Sequence, residues 1–184
     1  QTPLIAAMAV RLLHEAGVPR EALQLLPGDG ATVGATLTSD ARVNGVAFTG
    51  STETARTIRR AMADDMAPGT PLIAETGGLN AMIVDTTALP EQAVRDIVMS
   101  AFRSAGQRCS ALRCLYVQED TAPHLLEMLR GAMDELRLGD PWDLSTDIGP
   151  LIDAEARATI EDYVQAAGSR VLHRLDAPPD GHFL

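Results

Sequence analysis

Cys109 lies in Ser104-Ala105-Gly106-Gln107-Arg108-Cys109-Ser110, a small-residue stretch that follows an apolar helical pattern ending at Phe102. A thiol in such a loop serves as a nucleophile when backbone donors or a cation stabilise its thiolate, and Arg108 is adjacent in sequence. The competing reading is a small buried hydrophobe. Cys114, inside the apolar run 112–117, fits that second reading better. Glu75 ends an otherwise apolar run and precedes Thr76-Gly77-Gly78. Burial there suits a carboxylate to proton abstraction near neutral pH, whereas a strand-end charge would simply reach solvent. Phe48-Thr49-Gly50-Ser51 places a glycine and a hydroxyl where a strand gives way to a helix. Free N–H groups and the positive end of the helix dipole would face an anion such as a pyrophosphate there. Ser51 or Thr52 could equally do no more than cap the helix. Gly28-Asp29-Gly30, with Gly34 beyond it, resembles a dinucleotide fingerprint but has one residue too many, and a tight turn accounts for it as well.

Other chemistries are excluded by what the chain lacks. All 15 basic residues are arginine, so neither a Schiff-base lysine nor a P-loop lysine exists within these 184 residues. The net charge of −10 disfavours broad contact with nucleic acid, and none is expected. His14, His124, His173 and His182 show no metal-ligand spacing, so no metal is expected. Two cysteines are too few for a disulfide framework and suit a reducing, cytoplasmic setting. No apolar run is long enough for a transmembrane helix, and no signal-peptide pattern opens the chain. Gln1 in place of an initiator Met, and Phe183-Leu184 after a Pro-Pro-Asp-Gly loop, predict an internal segment of a longer chain.

The elements that must hold these residues follow from periodicity. Thr2-Pro3 predicts a capped helix carrying Leu4, Met8, Leu12 and Leu13 and ending at Gly17. Then come a strand over 23–26, small residues over 31–37, a strand over 46–48, and a helix with Ala55, Ile58, Ala61 and Met62 on one side. A strand over 72–74 closes this series. The second series has a strand over 81–84, a helix bearing Val94, Ile97, Val98, Ala101 and Phe102, a strand over 112–117 and a helix over about 122–136. A turn-rich stretch, a helix near 154–167 and a last strand over 171–175 complete it. Alternating strands and helices predict an α/β fold, a parallel sheet with covered faces and its strand-to-helix loops at one edge. Gly77-Gly78 is the expected boundary, dividing 1–78 from 79–184.

Taken in order, Phe48-Thr49-Gly50-Ser51, Glu75-Thr76-Gly77-Gly78, Gly106-Gln107-Arg108-Cys109, Gly139-Asp140-Pro141 and Asp147-Ile148-Gly149-Pro150 resemble the aldehyde dehydrogenase superfamily. Glu75-Thr76-Gly77-Gly78-Leu79-Asn80-Ala81-Met82-Ile83-Val84-Asp85 with Arg108-Cys109-Ser110-Ala111-Leu112-Arg113 is most similar to its L-glutamate γ-semialdehyde (1-pyrroline-5-carboxylate) dehydrogenase branch. That branch includes the dehydrogenase module of bifunctional proline-utilisation proteins. The resemblance implies a Rossmann-like partial NAD-binding domain over 1–78 and the start of a catalytic domain over 79–184. It makes Cys109 the nucleophile and Glu75 the base for the hydrolytic water. Gly50, Ser51, Thr76, Gly77 and Gly78 become cofactor contacts. The Cys109 N–H becomes an oxyanion donor and Ser110 a substrate contact. NAD, a small-molecule aldehyde and a homo-oligomeric parent are implied with them. Leu79 stands where the family commonly has lysine, a branch variation at a position without bond-making chemistry. The family's cofactor-binding lysine and oxyanion-hole asparagine would precede Gln1, so the 184 residues by themselves are expected to show no turnover. A structural or oligomerisation domain, and a thiol sensor pairing Cys109 with Cys114, are the alternative readings.

Overall fold

The computed structural model describes residues 2–184. It divides into two compact units, one running to Thr76 and one spanning Gly77–Leu184, each built on a pair of parallel strands. The α/β class expected from the alternation is present.

In the first unit, α1 (Pro3–Glu15) has proline in its first turn, but Thr2 makes no side-chain capping bond, contrary to expectation. Leu4, Ile5, Met8, Leu12 and Leu13 of α1 are exposed. Residues 23–26 form no strand. An apolar run becomes a strand only with a partner to accept its ladder bonds, and the only sheet in this unit among the described residues is the pair formed later in the chain. The Gly28-Asp29-Gly30 segment serves as a cap. The Asp29 carboxylate accepts from the Thr32 N–H at 2.7 Å and starts a π-type turn (Gly30–Gly34) that runs into α2 (Ala35–Thr38). Those bonds hold the Asp29 carboxyl below the usual carboxylate range. Strand β1 (Val46–Gly50), α3 (Thr52–Asp65) and β2 (Leu72–Thr76) then form a strand-helix-strand unit. Ala55 and Met62 of α3 are buried, and Ile58 and Ala61 half-buried, on the face expected from their spacing.

In the second unit, β3 (Asn80–Val84), α4 (Pro90–Phe102), β4 (Leu112–Val117) and α5 (Ala122–Asp134) repeat the pattern. Val84, Val94, Ile97, Leu112 and Leu125 form its core, with Val98, Ala101, Leu129 and Ala132 packed around them. The spacing of these side chains in the sequence is the cause, since positions three or four apart share one helix face. Helix α6 (Ala154–Ala167) starts at an Asp153 cap that accepts from the Ala156 N–H at 2.9 Å. The strand expected over 171–175 is absent, for the same want of a pairing neighbour. Both sheets cover only one face: Ile73, Ile83 and Tyr116 on the other sides are exposed, whereas covered faces were expected on both sides. Among the described residues no helix is long and apolar enough to cross a membrane.

Candidate active site

In the first unit, parallel pairing sets Thr49 opposite Glu75 and Gly50 opposite Thr76, so the C-terminal ends of β1 and β2 are level. Ser51 follows at once as the N-cap of α3. Its hydroxyl oxygen accepts from the Thr54 N–H at 3.1 Å and its O–H donates to Thr54 Oγ1 at 3.0 Å. Capping is thus realised. The Thr52 and Glu53 N–H groups, in the first turn, have no intrahelical acceptor and remain to face an incoming anion. This donor set, at the end of a 14-residue helix and beside Gly50, fits a pyrophosphate. A Cβ at Gly50 would meet the Phe48 ring, which would have to shift to admit it. Glu75 is exposed, so of the two readings the charge reaching solvent is realised; it shares the uncovered face of β2 with Ile73, while Leu72, Ala74 and Thr76 are half-buried on the other.

Gly77, Gly78, Cys109 and Ser110 lie in the second unit. Neither glycine has a positive φ, so the unusual backbone angles expected of the pair are not used. A Cβ at Gly77 would meet nothing within 4 Å, and one at Gly78 only Asn80 Oδ1 at 3.7 Å. The protein itself leaves this backbone uncovered.

Cys109 is exposed with a free thiol, whereas Cys114 is half-buried in β4. The loop before Cys109 is unusual in its backbone. Ser104, Ala105 and Gly106 all have positive φ, at 58°, 52° and 67°. Two non-glycine residues in the left-handed region cost of order 1–3 kcal/mol each, so surrounding bonds must hold the turn. Gly106 is irreplaceable on two counts, because beyond its φ an added Cβ would stand 2.9 Å from the Ala101 carbonyl oxygen. Arg113 donates to the Gly106 carbonyl. It can do so because the β3–β4 register slips between Asn80↔Leu112 and Ala81↔Cys114, leaving Arg113 as the extra residue of a bulge.

Two carboxamides complete the loop's support, and neither role was visible in the sequence. Asn80 Nδ2 donates to the Cys109 carbonyl at 2.7 Å and to the Ala111 carbonyl at 3.0 Å. Gln107 Nε2 donates to the Ser104 carbonyl at 3.1 Å and the Pro150 carbonyl at 3.4 Å, while Gln107 Oε1 accepts from the Ile152 N–H at 2.8 Å. The Asp147-Ile148-Gly149-Pro150 segment is therefore one wall of the loop's support. It is itself fixed by the Ile148 N–H donating to the Arg137 carbonyl at 3.1 Å and by buried Leu151. The signal that could have found these residues is an amide side chain opening an apolar strand, and another two positions before the thiol.

The second unit thus presents an exposed thiol on a pinned, left-handed loop between a helix and a strand. The aldehyde dehydrogenase family description matches residues 1–176, and the chain belongs to that family. Within it, the chain is 63% identical over 169 residues to the bifunctional protein PutA of Klebsiella aerogenes, covering 90% of this chain and 13% of that protein. It is 37% identical to a 1-pyrroline-5-carboxylate dehydrogenase of Geobacillus sp. (strain WCH70), covering 89% of this chain and 32% of the relative. A crystal structure of a variant of Bradyrhizobium japonicum proline utilization A superposes with a TM-score of 0.93 at 54% identity, over 99% of this chain and 19% of that one. Betaine aldehyde dehydrogenase of Staphylococcus aureus, solved in complex with NAD⁺, gives 0.84 at 31% identity, over 92% and 33%. The chain thus spans between about an eighth and a third of the length of these proteins.

Proposed function

We propose that the protein carrying this chain oxidises L-glutamate γ-semialdehyde, in equilibrium with its cyclic imine, to L-glutamate, with Cys109 as nucleophile, Glu75 as base and NAD⁺ as oxidant. The observation that carries the reading is the exposed Cys109 thiol on a loop held by three side chains, Asn80, Gln107 and Arg113, in a chain of this family. The Cys109 thiolate attacks the aldehyde carbon, forming an Sγ–C bond and a tetrahedral oxyanion. Among the described residues the Cys109 N–H donates to no backbone carbonyl, which leaves it to serve that oxygen. When bound, the nicotinamide supplies the hydride acceptor that turns this adduct into a thioester. Gly50, Ser51 and Thr76, with Gly77 and Gly78, are the residues that would hold the dinucleotide, Ser51 and the α3 N–H groups taking its pyrophosphate. Glu75 then takes a proton from water as its oxygen adds to the thioester carbonyl. The C–S bond breaks, and the carboxylate product leaves with the thiolate regenerated. Ser110, exposed beside the thiol, is assigned to the substrate's own carboxylate end.

The similarity to PutA and to a 1-pyrroline-5-carboxylate dehydrogenase supports the substrate, and the NAD⁺-bound neighbour supports the cofactor. By the same resemblance the parent is a cytoplasmic homo-oligomer, with a cofactor-binding part over 1–78 and the start of a catalytic part over 79–184, and the 184 residues by themselves are inactive. NADH formation from L-glutamate γ-semialdehyde by the full-length protein tests the reading. Cys109→Ala is expected to reduce that rate at least about 1,000-fold, and an undiminished rate would overturn it.

A further inference from the structure

We propose that Asn80 is the positioning residue of the nucleophile, its carboxamide fixing the Cys109–Ser110 peptide relative to β3; this rests on Cys109 being the nucleophile. Asn80 is the first residue of β3 and so is carried by the sheet, not by the loop. A carboxamide nitrogen has two N–H donors. Both are used here, at 2.7 Å and 3.0 Å, on carbonyls that flank Ser110. The turn between them is closed by the Ala111 N–H donating to the Arg108 carbonyl at 3.1 Å. Because the Cys109–Ser110 peptide is planar and trans, fixing its carbonyl also fixes the Ser110 N–H, which must point the opposite way, away from Asn80. The backbone on both sides of the Cys109 Cα is then defined, and with it the origin of the Cβ–Sγ bond.

The need for such a tie is local. Ser104 and Ala105 are held at positive φ immediately upstream, and a turn under that strain relaxes unless its far end is anchored. Arg113 anchors Gly106 and Gln107 anchors the middle; of these three side chains only Asn80 bonds the backbone at and beyond Cys109. Displacing a reacting atom by about 1 Å costs on the order of 100-fold in rate, so losing this tie should act on the chemical step and not on substrate affinity.

The test uses the full-length protein and two substitutions. Asn80→Asp keeps the shape but sets a carboxylate against two carbonyls, and Asn80→Ser keeps one donor. The expected result is a kcat lowered about 30-fold in Asn80→Asp and less in Asn80→Ser, with KM changed under about 3-fold. Hydrogen exchange should rise over residues 103–111 while α4 and α5 stay protected. Unchanged kcat, unchanged exchange in that loop, or exchange raised throughout the second unit would each overturn the proposal. If the wild-type protein forms no NADH from the aldehyde, the functional reading fails, and the exchange arm alone then decides whether Asn80 holds the loop.

Discussion

The edge around Ser51 and the loop around Cys109 are built in opposite ways. At Ser51 the side-chain bonds are local, a hydroxyl reaching three residues on, while parallel pairing of β1 with β2 brings the strand ends level. At Cys109 they are long: Asn80 reaches across 29 and 31 positions, and Gln107 across 43 and 45. The first arrangement offers unsatisfied backbone donors and suits a ligand that brings its own shape and charge. The second spends side-chain amides on holding a strained backbone still, which suits a covalent step whose geometry must be set before the substrate arrives.

That contrast can be broken from either end. Gln107→Ala removes the ties to Pro150 and Ile152 and should lower kcat about 10-fold in the full-length protein, with little change in KM, measured by steady-state NADH formation. Gly106→Ala should destabilise the second unit by about 2 kcal/mol, read from denaturant unfolding, because it strains a positive φ and crowds the Ala101 carbonyl. Ser51→Ala should cost about 1 kcal/mol through the lost cap and raise the KM for NAD⁺ a few-fold while leaving kcat nearly unchanged. Acid should act more weakly still. Asp29 caps its turn as a carboxylate whose pKa is lowered in the folded chain, so its contribution is complete above the ordinary carboxylate range. That contribution is lost only as pH falls through the lowered value, and a pH titration of Asp29→Asn against wild type should show a difference that vanishes there.

Local signals explain most of what the sequence made legible. The helix beginning after Ser51, the buried Ala55 and Met62, and the Val94, Ile97 and Leu125 core follow from spacing within single elements. The apolar runs at 23–26 and 171–175 read as strands by the same logic and are not, since a strand needs a neighbour that periodicity cannot supply. The apolar run before Glu75 leaves open whether its carboxylate is buried or reaches solvent; alternation along β2 sets it beside Ile73 on the uncovered face, where it is exposed. Asn80 and Gln107 stood inside recognised motifs with no assigned role. Their partners are backbone carbonyls and an N–H, groups that every residue carries and that no pattern of side chains marks.

In the proposed reaction Cys109 forms an acyl intermediate that Glu75 resolves. Glu75→Gln in the full-length protein, mixed rapidly with aldehyde and NAD⁺, tests it most directly. One equivalent of NADH per active site should appear in a burst, followed by turnover slowed about 100-fold, with the added acyl mass mapped to the peptide containing Cys109. Undiminished steady turnover, or acylation of any residue other than Cys109, would contradict it.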